Sequence, residues 1–203
     1  MDHETIISRA ESYAKDKMKN YDPGHDWWHI QRVRKTAALI NSVEKSADFF
    51  MLDLAAILHD VADSKFNTGE AYSGIETFLA EAGLSGISPR IIEAIRNVSF
   101  SNQNKSGNLS DPLYMILQDA DRLDAIGAIG IARAFSYGSS KNNPIYLPPD
   151  EHGKMEPSTI RHFYDKLLIL KDLMNTDTAK KIAEERNDFL MTFLKQFYRE
   201  WSV

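Results

Sequence analysis

The segment LAAILHDVADSKF, from Leu54 to Phe66, decides how the fold of this chain is interpreted. Its apolar side chains recur at three- and four-residue spacing, which predicts a buried helix. His59 and Asp60 interrupt this apolar pattern, and Asp63 follows four residues after His59. If the helix continues to Asp63, all three side chains can converge on one side of it. Burying an imidazole beside a carboxylate is costly unless both are satisfied, and a divalent metal satisfies them well.

The rest of the chain shows the same helical spacing, and strand-like alternation is scarce, so the sequence predicts an all-α single domain. Two irregular stretches interrupt the helices, at 99–109 and 136–156. The longer one is interpreted either as a lid that faces a substrate or as a solvated surface loop. The predicted helices cover about Glu4–Lys19, Asp26–Lys45, Phe49–Asp63, Gly69–Ala82, Pro89–Val98, Pro112–Asp124, Ala125–Phe135, Pro157–Met174 and Asp177–Tyr198.

Composition restricts the chemistry. A chain of 203 residues is long enough for one domain with a substantial core. Because cysteine is absent, disulfides and thiolate ligands are excluded, and a metal must be held by His, Asp or Glu. The net charge of −5 disfavours a nucleic acid polymer as partner, although a metal and a few cations could still neutralise a nucleotide. No signal peptide or membrane span is recognisable, so a cytoplasmic location without membrane contact is expected.

Three separate segments supply candidate metal ligands. His29 lies in GHDWWHIQRV, His59 and Asp60 lie in the segment described above, and Asp121 lies in the otherwise apolar helix of ILQDADRLD. Taken singly, each histidine could be a hydrogen-bonded core residue, and Asp121 could form a surface salt bridge with Arg122. Taken together, in this order and inside apolar helices, they favour a shared metal site.

The order H…HD…D and its flanking sequences resemble the HD-domain metal-dependent phosphohydrolases, in particular the short bacterial members of the YedJ/YpgQ type. The flanks that carry the resemblance are HDWWHIQRV, LAAILHDVADSKF and QDADRLDAIGAIGIARAF, and it continues through STIRHFYDKLLILKDLMNT and AKKIAEERNDFLMTFLKQF. The resemblance implies a helical HD-domain bundle that forms one domain over 1–203. Its metal-site core would cover about 20–135, and helices at about 157–200 would complete the substrate pocket.

The same resemblance implies site residues. The four metal ligands would be His29, His59, Asp60 and Asp121. Their mixed nitrogen and oxygen donors suit one divalent ion, with Mn²⁺ the first choice and Mg²⁺, Co²⁺, Ni²⁺ and Fe²⁺ as alternatives. Asp63 would orient or deprotonate the attacking water, the alternative being a solvated acid at the end of the helix. Asp119 is less suited to be a ligand than Asp121, because a two-residue step along a helix turns the side chain away.

Several cations are candidate phosphate contacts. Lys65 directly follows the HD segment, and His162 and Lys166 are expected on one helical face at i and i+4. Arg186 lies within an apolar stripe, where a guanidinium needs an acidic partner or a phosphate. His25 either supports the metal site or faces the substrate.

The resemblance implies a divalent-metal phosphohydrolase that cleaves a (deoxy)nucleoside triphosphate, a small-molecule partner, to monophosphate and pyrophosphate. One alternative is a nucleoside monophosphate phosphatase or a phosphodiesterase that uses the same metal site. Another is a non-catalytic HD module that senses a nucleotide or a metal. A purely structural helical protein would leave Arg186 and the buried acids without a purpose. The oligomeric state is left open, a homodimer included.

Overall fold

The computed structural model describes residues 1–19, 26–61, 70–98, 110–149 and 155–202. Within these ranges every regular element is a helix and there is no strand, so the all-α prediction is confirmed. No helix in these ranges has both the length and the apolar character needed to cross a membrane. The elements are α1 (His3–Lys17), α2 (Trp27–Glu44), α3 (Phe49–Leu58), α4 (Glu70–Glu81), α5 (Ser88–Val98), α6 (Pro112–Asp124), α7 (Gly127–Ser140), α8 (Thr159–Asp165), a 3₁₀ helix (Leu167–Leu173) and α9 (Asp177–Trp201).

Side-chain caps fix several helix starts. The Asp26 carboxylate accepts a hydrogen bond from the backbone N–H of His29 at 2.8 Å, and this bond begins α2. Asp48 caps α3 in the same way through Met51, also at 2.8 Å. These contacts satisfy N–H groups that have no partner within the helix, and each contributes about 1 kcal/mol. Helix α4 ends at Glu81, close to the predicted end at Ala82. Gly83 follows with φ +78°, a left-handed backbone conformation that favours glycine.

The chain divides into two compact units, and the boundary lies inside α6, directly after Asp121. In the N-terminal unit α3 is central, because it packs against α1, α2 and α5, while α5 also packs against α4. Seven of its ten side chains are buried, so truncating one of them, such as Leu54, to alanine costs about 2–5 kcal/mol. The helix that leads into His59 and Asp60 is therefore part of the core.

In the C-terminal unit, α7 packs against α8 and α9, and the 3₁₀ helix packs against α8 and α9. Aromatic rings hold the described part of the long connection before α8. The ring of Tyr146 contacts those of Phe197, Tyr198 and Trp201 with centroids 5.1–5.8 Å apart. The Pro144 carbonyl accepts a hydrogen bond from the backbone of Thr159 at 2.9 Å. This stretch of the connection is therefore packed against its own unit.

The largest differences from the sequence prediction concern three of the predicted helices. The helix expected to reach Asp63 ends at Leu58, and 59–61 form a turn. The helix expected near Ala125–Phe135 continues to Ser140, which shortens the predicted 136–156 loop. The single helix expected over Pro157–Met174 is broken at Lys166, whose φ of −139° is not helical. The other predicted irregular stretch, 99–109, lies outside the described residues.

Candidate metal centre

Four side chains of the N-terminal unit converge at one point. The Nε2 atoms of His29 and His59 lie 3.3 Å apart. An Asp60 oxygen lies 3.3 Å from Nε2 of His29, and the other lies 3.4 Å from Nε2 of His59. Asp121 Oδ1 lies 3.4 Å from Nε2 of His29 and 3.9 Å from Nε2 of His59. The structure therefore brings together all four residues predicted to be metal ligands.

Helix ends place these side chains. His29 lies in the first turn of α2, and the Asp26 cap fixes its backbone. His59 follows the last residue of α3, so it and Asp60 project from the end of a buried helix. Asp121 comes from the C-terminal half of α6. His29 and Asp121 thus lie within helices, and His59 and Asp60 directly follow one, so all four donors are placed by helices.

The hydrogen bond on the far side of the His59 ring sets its tautomer. Nδ1 lies 2.8 Å from the carbonyl oxygen of Ala56. A carbonyl can only accept, so Nδ1 carries a proton, and Nε2, the atom that could bind a metal, faces the cluster. Metal-binding histidines in proteins are held in this arrangement, since the outer hydrogen bond orients the ring.

Burying these polar and charged side chains together costs free energy unless a cation compensates their charge. His29, His59 and Asp60 are 0%, 5% and 6% exposed, whereas the Asp121 side chain is 28% exposed. Burial raises the pKa of the Asp121 carboxyl, but the hydrogen bond with His29 and the charges of His29 and His59 lower it more, to about 2. The Asp121 carboxylate is thus held ionised in a partly buried site, where negative charge needs compensation.

The donors fit a single divalent ion. His29, His59 and Asp121 each offer one ligand atom, and these atoms all lie within 4.8 Å of one another. Adjacent ligands of an octahedral ion with bonds near 2.1 Å are roughly 3 Å apart, close to the separations observed here. Two imidazoles and two carboxylates suit Mn²⁺, Fe²⁺, Co²⁺ or Ni²⁺. They leave room in the coordination sphere for further oxygen ligands.

Three of the predicted site residues, His25, Asp63 and Lys65, lie outside the described residues. His162 lies exposed in the last turn of α8, which ends at Asp165. Lys166 follows in a non-helical conformation, so the expected i, i+4 arrangement on one helix is wrong. The role of both residues as phosphate contacts stays a prediction.

Arg186 has a polar partner that the sequence did not reveal. Its Nη1 donates a hydrogen bond to the backbone carbonyl of Leu123, and its stem passes close to Gly127, whose φ of +76° favours glycine. Burial lowers the pKa of Arg186, while the charges of Asp124 and Glu185 raise it. Within the described residues Arg186 forms no ion pair.

The apolar stripe predicted around Arg186, formed by Ile182, Phe189, Phe193 and Phe197, is partly wrong, because Phe189 is 51% exposed. The burial of α9 instead follows a neighbouring set of side chains on the helix. That buried set is Ala179, Ala183, Asn187, Leu190 and Leu194.

Sequence reasoning missed two buried acids. Asp119, set aside as a ligand, is fully buried in α6, and Asp124 is buried and lies 2.9 Å from Nη1 of Arg133. It also missed Asp53, an acid within the apolar run FFMLDLAAIL, which pairs with Arg34 of α2. The signal was available, because an acid inside an apolar helix is the same anomaly that identified His59 and Asp60.

Known proteins and solved structures are similar to this chain over nearly its full length. No family model matches the chain. The protein YpgQ of Bacillus subtilis (strain 168) is 40% identical over 201 residues, which cover 95% of this chain and 92% of YpgQ. The crystal structure of YpgQ in complex with ADP superposes with a TM-score of 0.78 at 34% identity, covering 96% of this chain and 97% of that one.

Two further crystal structures are similar over nearly the full length. A protein from Lactobacillus plantarum has a TM-score of 0.83 at 37% identity and 98% coverage of both chains. A protein from Bacillus thuringiensis, described as an HD-superfamily hydrolase, has a TM-score of 0.78 at 35% identity and 100% coverage of both. These similarities extend well beyond the H…HD…D positions and include both units of the chain.

Proposed function

The chain belongs to the HD superfamily of metal-dependent hydrolases, and we propose that it hydrolyses nucleotides, with a (deoxy)nucleoside triphosphate as substrate. The products would be the monophosphate and pyrophosphate. One observation carries the proposal: His29, His59, Asp60 and Asp121 converge with donor separations of 3.3–3.9 Å in a largely buried position. A buried cluster of this composition is a divalent-metal site rather than a structural ion pair.

The four side chains would hold one divalent ion, for which Mn²⁺ is our first choice. When bound, the ion supplies positive charge that offsets the negative charge developing on a phosphoryl group. The protein supplies orientation, because the Ala56 carbonyl fixes the ring of His59 and the Asp26 cap fixes the backbone of His29. The partial exposure of Asp121 supports access for a substrate on that side of the cluster.

Two further roles complete the proposal. Asp63 would act as the base that accepts a proton from the attacking water, a role that contributes roughly 10²–10⁴-fold in rate. Arg186 would contact a phosphate, since it forms no ion pair within the described residues and donates a hydrogen bond there to the Leu123 carbonyl. Lys65, His25, His162 and Lys166 remain weaker candidates for substrate contacts.

A nucleotide is favoured over other phosphate compounds by the relative that was crystallised with ADP. ADP combines a base, a sugar and a diphosphate, so its binding to YpgQ supports a nucleotide pocket in this chain, which matches YpgQ over nearly its whole length. The number of phosphates and the bond that is cleaved are part of our proposal, because the metal chemistry is common to several substrates.

A product assay tests the proposal. The purified protein is incubated with nucleoside mono-, di- and triphosphates in the presence of Mn²⁺, Mg²⁺, Co²⁺ or Ni²⁺, and phosphate and pyrophosphate are measured separately. We expect pyrophosphate from a triphosphate. Phosphate from a monophosphate would replace our substrate with the phosphatase alternative. Tight nucleotide binding without turnover under any metal would favour the sensing module.

A further inference from the structure

Helices α2 and α3 form an antiparallel hairpin that is tied together at three levels. At the turn, the Asn41 side chain exchanges two hydrogen bonds with the backbone of Ala47, each 3.0 Å long. In the middle, Arg34 of α2 binds Asp53 of α3. At the open end, His29 faces His59. The Arg34–Asp53 pair is therefore a polar tie between the turn of this hairpin and the predicted metal ligands.

The geometry of this tie is restrictive. Nε and Nη2 of Arg34 donate to the two carboxylate oxygens of Asp53 at 2.7 and 2.8 Å, a bidentate arrangement that fixes both distance and orientation. Nη1 donates to Glu11 of α1 at 2.6 Å. The Arg34 and Asp53 side chains are each 16% exposed, so solvent screens the pair only weakly.

The tie lies close to the ligands along both helices. His29 precedes Arg34 by five residues and His59 follows Asp53 by six, which corresponds to about 7–9 Å of helix rise. Sliding or rotating α3 against α2 would change the separation of the two imidazoles and would also break the bidentate bond. The bidentate Arg34–Asp53 bond and the separation of the two imidazoles are thus coupled through rigid helices rather than through direct contact.

We propose that Arg34 and Asp53 are positioning residues that set the separation of His29 and His59 and so tune the affinity of the site for a divalent ion. Glu11 has a different role, because α1 carries none of the four predicted ligands: its bond to Arg34 stabilises the unit without setting the ligand geometry. The inference rests on the proposed metal site and adds residues outside the ligand set to it.

Two truncations of carboxylates that bind the same guanidinium make a matched test. Mn²⁺ affinity is measured by titration calorimetry and by the electron paramagnetic resonance signal of free Mn²⁺ for wild type, Asp53→Ala, Glu11→Ala and Arg34→Lys. We expect Asp53→Ala to weaken Mn²⁺ binding about tenfold, the scale of effects from residues that orient metal ligands. Glu11→Ala should bind Mn²⁺ like wild type even though it unfolds at a lower temperature.

Arg34→Lys keeps the charge but loses the bidentate fork, so it should bind Mn²⁺ more weakly than wild type and more tightly than Asp53→Ala. It also keeps the test decisive if Asp53→Ala does not fold. Equal losses of Mn²⁺ affinity in Arg34→Lys and Glu11→Ala would overturn the inference, as would wild-type affinity in both Arg34→Lys and Asp53→Ala. A wild-type protein that binds no divalent ion would instead overturn the proposed metal site itself.

Discussion

Arg34 in the N-terminal unit and Arg186 in the C-terminal unit are both partly buried, yet their charges are compensated differently. Arg34 binds two carboxylates, those of Asp53 and Glu11, at 2.6–2.8 Å. Arg186 donates to the neutral carbonyl of Leu123, and the nearby carboxylate of Asp124 is paired with Arg133. The first guanidinium is in direct contact with two carboxylates, whereas the second is in direct contact with a carbonyl and forms no ion pair within the described residues.

This difference separates two uses of a buried cation. A guanidinium with two acidic partners has few donors left for a ligand and serves to hold helices together. A guanidinium that donates to a carbonyl and forms no ion pair keeps further N–H donors for a phosphate. On this basis we propose that Arg34 sets the metal geometry in the N-terminal unit and that Arg186 contributes to substrate affinity. Each assignment can be broken by a specific variant.

The largest effect is expected at the metal centre itself. His59→Ala removes one imidazole from the cluster, so we expect loss of the bound ion and a fall in turnover on the order of 10³-fold or more, the several kcal/mol that a metal supplies. Elemental analysis and the product assay measure both. Far-UV circular dichroism should stay close to wild type, because His59 lies beyond the end of α3. A variant that keeps its metal and full activity would contradict the assignment.

The next largest effect separates chemistry from metal binding. Asp63→Ala should keep the ion and lose roughly 10²–10⁴-fold in kcat, as expected for a missing general base. Asp63→Asn is the matched control for shape and should be equally impaired. Metal content and the pH profile of kcat are the measurements. Unchanged turnover would remove Asp63 from the proposed mechanism.

A smaller effect tests Arg186 directly. Arg186→Gln should raise KM for the nucleotide about tenfold, the worth of one charge-assisted phosphate contact, and leave Mn²⁺ affinity unchanged. Arg161→Gln in the same unit is the control, because Arg161 pairs with Asp165 on the surface of α8. That control should leave KM unchanged. If Arg186→Gln instead weakened Mn²⁺ binding and left KM unchanged, Arg186 would serve metal binding, and its proposed role in substrate affinity would be wrong.

Much of the fold was accessible from sequence, since apolar spacing and caps are local signals. The bounds of α6 agree at both ends, and α9 begins at Asp177 behind its Thr176 cap as expected. The end of α3 at Leu58 could not be predicted from the sequence. The His59 side chain binds the Ala56 carbonyl, which the backbone of residue 60 would use in a continuing helix, and Val61 donates to Leu58 instead. That competition depends on three-dimensional placement of the ring.

The four residues that converge could be recognised in the sequence for a related reason, and their role as metal ligands stays a prediction. The helical pattern predicts apolar packing residues at the positions of His29, His59, Asp60 and Asp121. A polar residue at such a position is visible as an exception in the sequence alone. The partner of Arg186 could not be predicted, because a backbone carbonyl has no sequence signature. The break at Lys166 was hidden as well. Leu167 and Leu170 are buried three residues apart, a spacing that serves a 3₁₀ helix as well as an α-helix.

The smallest expected effect extends the comparison to Arg90, a third arginine, which binds a single carboxylate. Nε and Nη2 of Arg90 lie 2.7 and 2.8 Å from the oxygens of Asp111, which also accepts from the backbone of Leu113 at the start of α6. The Arg90 side chain is 46% exposed, so solvent screens this pair far more than Arg34–Asp53, and we expect it to contribute about 0.5–1 kcal/mol.

The pH dependence of stability checks this ranking. The hydrogen bond from Arg90 lowers the pKa of Asp111 despite its partial burial. A carboxyl whose folded pKa lies below its unfolded value stabilises the protein above the unfolded value, near 4, and this contribution disappears as the pH falls through the folded pKa. Urea unfolding at pH 7 should therefore separate wild type from Asp111→Asn, and the difference should shrink below pH 4. Arg90→Gln should remove the same pH-dependent part. If the difference in unfolding free energy between wild type and Asp111→Asn stayed constant from pH 7 to pH 2.5, Asp111 would act only as a neutral helix cap. The ion pair of the half-exposed Arg90 would then add nothing to the stability of the protein, unlike the ion pairs of Arg34.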